Sequence, residues 1–64
     1  MKVDGMKLRK ERYRRELTQV QLREISGVNR RTISQIENGY SCVSLRTLNK
    51  LSAALDIAAS ELVS

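Results

Sequence analysis

The stretch from Thr18 to Gly39, TQVQLREISGVNRRTISQIENG, constrains this chain more than any other part, because it spells two short helices joined by a tight turn at Ser26-Gly27-Val28. Thr18 carries a hydroxyl that can accept an amide hydrogen two or three residues on, so it caps the first helix, and Leu22 and Ile25 then share that helix's buried side. Gly27 supplies the stop, since the chain must leave the helix with a positive φ that glycine adopts without steric cost. Asn29 caps a second helix immediately afterwards. In that second helix Ile33 and Ile36 fall on one face and leave Arg30, Arg31, Ser34 and Gln35 pointing elsewhere.

The rest of the composition agrees with short helices packed on one another. A chain of 64 residues is expected to make one domain, residues 1–64, near the lower size at which folding needs no disulfide or metal. With no Trp, no Phe and two Tyr, the core has to be assembled from Leu, Ile, Val and Ala. Zero Pro and three Gly fit an all-α chain. Cys42 stands alone and His is absent, which argues against a disulfide, a redox pair, a metal site or a cofactor, and Cys42 reads as an incidental small residue. The same absence of His leaves an enzyme as the poorest reading, because no base is present for the serines or for Cys42. The apolar runs fall well short of the ~20 residues of a membrane span, and no signal peptide is visible, so a cytoplasmic protein is expected.

Five helices are expected in all. The first spans about Met6 to Arg15 with Leu8 and the stem of Arg12 inward; its periodicity is the poorest of the set. The second and third cover about Gln19–Ser26 and Arg30–Asn38, the latter stopped by Gly39. Ser44 caps a fourth, along which Leu45, Leu48, Leu51 and Leu55 form one stripe to be covered by the other helices. A fifth, roughly Ala58 to Val63, closes the core with Ile57 and Leu62 and begins at Ala58, a poor cap.

Charge is unevenly distributed. The net charge is +5, yet residues 1–31 carry a balance of +6 and residues 32–64 a balance of −1. Such asymmetry favours a polyanionic partner, and a helix pair with a polar, basic outer face makes that partner nucleic acid.

Nearly the whole chain resembles the lambda-repressor-like helix-turn-helix domains, which include phage repressors and Xre-type bacterial regulators. The resemblance rests on Leu8 and Arg12, Leu17-Thr18-Gln19, Leu22, Gly27-Val28, Thr32-Ile33, Ile36-Glu37-Asn38-Gly39 and the ladder Leu48, Leu51, Leu55, Ile57, Leu62. Two positions depart from it. Arg23 replaces the usual Ala where the two helices of the motif cross, so either its guanidinium lies in water or the crossing opens; Glu16 replaces a common Gly, which suggests that the first helix runs on or ends without a left-handed cap.

The resemblance implies a compact five-helix DNA-binding domain whose third helix enters the major groove. It implies an ion pair between Arg12 and Glu37 that ties helix 1 to the end of helix 3, and a DNA backbone contact at Gln19, where a helix N-terminus also favours a phosphate. Thr18, Asn38, Ser41 and Arg46 are further phosphate candidates. Arg31 and Gln35, four residues apart on one face, are the first choice for base contacts, since an Arg fork matches guanine O6 and N7 and a Gln pairs with adenine N6 and N7. Arg30, Thr32 and Ser34 are additional candidates. The expected function is a transcriptional regulator, a repressor binding a bacterial or phage operator as a homodimer, with no small-molecule ligand; Val43, the outer side of helix 4 and Val63 are candidates for the dimer surface. The rival reading is a protein-interaction module, such as an antitoxin-like partner, which requires apolar anchors on the outer face of helix 3.

Overall fold

The computed structural model describes residues 2–39 and 42–63. Tyr40 and the phosphate candidate Ser41 lie outside them. Four α-helices follow in order, α1 Gly5–Arg14, α2 Gln19–Ser26, α3 Arg30–Glu37 and α4 Leu45–Leu55, and then one turn of 3₁₀ helix, Ala59–Glu61. The fold is thus all-helical, but the described residues hold four α-helices where five are expected. The missing fifth has a local cause: Ala58 offers no side-chain cap, and only Glu61 reaches back to accept the Ala58 N–H at 3.2 Å, which closes a single tight turn. Among the described residues no helix is long and apolar enough to cross a membrane.

Each α-helix begins at a side chain that accepts from its loose backbone N–H groups. Asp4 caps α1, its carboxylate accepting from the N–H groups of Met6 and Lys7 at 3.0 and 3.3 Å. At the other end α1 stops at Arg14, and Glu16 itself adopts the left-handed conformation with φ 55°. The Leu17 N–H then donates to the Arg12 carbonyl and the Glu16 N–H to that of Tyr13. This corrects the expectation drawn from Glu16: the helix does end on a left-handed residue, with glutamate in the place that glycine fills at lower cost. Asp56 ends α4 in the same way, with φ 55°.

α3 packs on both α1 and α2, α2 packs on α4, and α4 carries the 3₁₀ turn. Leu8, Leu22, Ile33, Ile36, Leu48, Leu51, Leu55 and Leu62 are fully enclosed, joined by Val28 and by Val3. Two expected core residues are not in it. Leu45 is 56% exposed and Ile25 55% exposed. Both stand where the neighbouring elements leave the apolar stripe uncovered, while Ser52 is buried on α4. The dimer candidates Val43 and Val63 are half-buried and pack against the core.

The N-terminal segment adds a feature without a helical signal. Val3 forms an isolated antiparallel bridge with Val63, and Lys2 forms another with Cys42. The Asp4 N–H donates to the Leu62 carbonyl at 2.7 Å, and Lys7 Nζ donates to the Val63 carbonyl at 3.2 Å. A further close approach follows at Gly5, where a Cβ would meet the Ile36 carbonyl oxygen and lie 3.1 Å from the Glu37 Cα. Only a residue without a side chain lets the start of α1 sit against the end of α3.

Candidate nucleic-acid interface

Two helix N-termini border one groove. α2 begins at a reciprocal cap: the Thr18 hydroxyl accepts from the Gln21 N–H at 3.1 Å, and the Gln21 side chain accepts from the Thr18 N–H at 2.8 Å. α3 begins at Asn29, whose side-chain oxygen accepts from the Arg31 N–H at 2.8 Å. Between the two helices Gly27 turns the chain with φ 75°, its N–H donating to the Arg23 carbonyl. Arg23 itself is exposed, 3.9 Å from Glu24, so its guanidinium lies in water.

The outer face of α3 is polar throughout. Arg30, Arg31 and Gln35 are exposed, Thr32 and Ser34 half-buried, and Ile33 and Ile36 lie fully buried on the opposite face. No described residue hydrogen-bonds or ion-pairs with the side chains of Arg30, Arg31 or Gln35. Arg30 shares a shallow groove of about 460 Å³ with Thr18, Gln19 and Tyr13. The structure therefore gathers the start of α2 and the start of α3 along one opening. Asn38 is exposed just past the end of α3, and Arg46 is exposed in the first turn of α4; neither lines that groove.

Behind this surface the chain buries an ion pair. Arg12 Nε donates to Glu37 Oε2 and Arg12 Nη2 to Glu37 Oε1, each at 2.8 Å, a two-pronged geometry that holds both planar groups. The third arm, Arg12 Nη1, donates to the Leu17 carbonyl at 2.8 Å. The Glu37 side chain is wholly enclosed and that of Arg12 nearly so. Burial alone pushes the Glu37 carboxyl up, but hydrogen bonds and charge from Arg12, aided by Gln19 and Arg9, hold it below its ordinary value. The hydrogen bonds to Glu37 raise Arg12 against the opposing effect of burial. Both stay ionised, and each is the other's compensation for leaving water.

Sequence reasoning passed over three contributors. Arg9 Nε reaches Glu37 Oε1 at 3.4 Å, and the i,i+3 spacing of Arg9 and Arg12 was the available signal. Tyr13 lies under the Arg12 guanidinium, 4.6 Å from carbon to ring centre, and lines the groove beside Gln19; it follows no periodic pattern. The third, Gly5, is legible only from the close approach it permits.

Capped helices on either side of a left-handed glycine, with the second helix exposing a polar face, describe one motif, and the helix-turn-helix family model matches residues 6–62. The chain belongs to the helix-turn-helix family. Its place in the Xre and lambda-repressor-like branch agrees with two solved helix-turn-helix structures. The restriction-modification controller protein C.AhdI from Aeromonas hydrophila is 38% identical, with a TM-score of 0.83 over 89% of this chain and 86% of that one. SinR, the master regulator for biofilm formation, solved in complex with DNA, is 28% identical, with a TM-score of 0.83 over 88% of this chain and 90% of that one. No curated protein matches in sequence at a significant level.

Proposed function

We propose that residues 1–64 act as one sequence-specific domain for double-stranded DNA and that the protein is a transcriptional regulator, a cytoplasmic repressor of a bacterial or phage operator. The observation that carries this reading is the outer face of α3, where Arg30, Arg31 and Gln35 stand exposed on a helix whose opposite face is fully buried. Family membership supports it, as do a restriction-modification controller and a regulator bound to DNA among the structural relatives. In this reading α3 enters the major groove, Arg31 and Gln35 contact base edges, and Arg30, Thr32 and Ser34 add to them. Gln19 and Thr18 approach the backbone at the start of α2, with Asn38, Ser41 and Arg46 as further phosphate contacts. A protein-interaction module needs apolar anchors where α3 presents arginines and glutamine, so that rival is set aside.

A homodimer completes the proposal. Leu45 and the outer side of α4 offer its apolar surface, since Val43 and Val63 are half-buried in the core. Selection from a random duplex pool tests the whole reading at once. The expected winner is an inverted repeat whose half-sites lie about one helical turn, roughly 34 Å, apart. Affinity should fall with salt at a slope of about −0.9 per phosphate neutralised. A single asymmetric half-site would remove the dimer, and no binding at low salt would remove the DNA-binding reading.

A further inference from the structure

We propose that Glu37 is a positioning residue for DNA binding, which acts through Gln19 by fixing which end of that carboxamide faces the phosphate. The inference rests on the backbone contact assigned to Gln19 above. Its geometric basis is that Gln19 Nε2 lies 3.4 Å from Glu37 Oε1, an oxygen already held by Arg12 Nη2 at 2.8 Å. A glutamine side chain has two similar ends that rotate past each other, one a double donor and the other an acceptor. Only the first can help an anion.

Beside the Glu37 carboxylate the choice is made before DNA arrives. The carbonyl end of Gln19 would face a negative oxygen with its own lone pairs, so the NH2 end takes that side. One N–H points at Glu37, and the planarity of the amide sets the second N–H about 120° from the first. That second N–H is a donor held in place for a phosphate oxygen, and the rotational freedom of the side chain is lost on folding instead of on binding. The backbone around it is tied to the same carboxylate: Arg12 grips Glu37 with two nitrogens and the Leu17 carbonyl with the third, two residues ahead of Gln19. Because Glu37 is the last residue of α3, a displacement of the reading helix is passed to the residue that holds the backbone.

A double-mutant cycle tests the coupling. Four proteins are compared: the parent, Gln19→Ala, the pair replacement Arg12→Met with Glu37→Met, and all three changes together. Replacing both charges with apolar side chains of similar length keeps the junction filled and leaves no buried charge alone. Affinity is measured at one salt concentration for the duplex that the parent selects from a random pool, at a temperature where circular dichroism shows all four folded. Gln19→Ala is expected to weaken binding about tenfold in the parent, the loss of one charge-assisted hydrogen bond, and less than about twofold in the pair-replaced background. Equal losses in the two backgrounds would overturn the coupling and leave Gln19 as a backbone contact. No loss in the parent would instead overturn the contact itself. Should the pair replacement fail to fold, the free parent supplies the readout: the side-chain amide protons of Gln19 should exchange with water more slowly than those of the exposed Gln35. Equal exchange rates would overturn the proposal without any mutant.

Discussion

At its C-terminal end α3 closes against α1: Glu37 is enclosed and both its oxygens accept hydrogen bonds from Arg12. Along its outward side, Arg30, Arg31 and Gln35 stand in solvent without a partner among the described residues. The two regions belong to one eight-residue helix and are built from similar polar side chains. What separates them is where the hydrogen-bonding capacity is spent. At the closed end it is used up within the chain, so the end is fixed; on the open face it is left for a ligand. A change at the first should be read in stability, and one at the second in affinity.

The largest effect expected is at the closed end. Arg12→Ala or Glu37→Ala removes the two-pronged partner of a buried charge, leaving Glu37 only the longer Arg9 contact in the first case, and should cost about 3 kcal/mol or more in thermal or denaturant unfolding. A melt like the parent's would show that the end is not closed. The pH dependence follows from the depressed Glu37 carboxyl, whose ordinary value is 4.5. Its contribution is fully present above that unfolded value and is lost as pH falls through the lower folded one. The difference in melting temperature between the parent and Glu37→Gln should therefore be constant near neutrality and shrink on acidification below 4.5.

On the open face the opposite pattern is expected. Arg31→Ala and Gln35→Ala should melt with the parent yet lose about 1 to 3 kcal/mol of binding to the selected site, with preference relaxed at one or two base positions. Measuring each against single-base variants of the site decides it; a uniform loss over all variants would put a different face of α3 in the groove.

A smaller loss tests how the closed end is reached. Gly5→Ala drives a methyl group at the Ile36 carbonyl, and the overpacking should cost about 1 to 2 kcal/mol in stability without touching base preference. The smallest effect has the opposite sign: Glu16→Gly relieves a left-handed glutamate and should stabilise by about 1 kcal/mol in equilibrium unfolding.

Much of this arrangement is legible in the sequence because its signals are local. Thr18, Gly27, Asn29, Gly39 and Ser44 each act within a few residues of themselves, and the bounds of α2, α3 and α4 follow from them. The readings that failed depend on geometry beyond the neighbouring turn. Leu45 and Ile25 belong to the apolar pattern, but nothing in the pattern says how far the covering helices extend. The left-handed turn at Glu16 is decided by carbonyls of α1 that need partners, against the residue's own preference. Val3 and Gly5 carry no periodic signal, since their roles exist only once distant parts of the chain are in place. Of the candidate interface, the outward side chains of α3 could be named from spacing alone. The bond between Gln19 and Glu37 could not, because it joins two helices through a single carboxylate.

The N-terminal strap has a consequence in time. Val3 is buried against Val63 from the far end of the sequence, while the helices form from neighbours a few residues apart. Closing so long a loop is the slowest contact to be rewarded, because chain entropy is lost before any burial is gained. The helices and their mutual packing should therefore assemble first and the strap should zip last. A truncated side chain at Val3 is then expected to hasten unfolding and leave the folding rate nearly untouched, so that the strap serves as the latch on a structure already made.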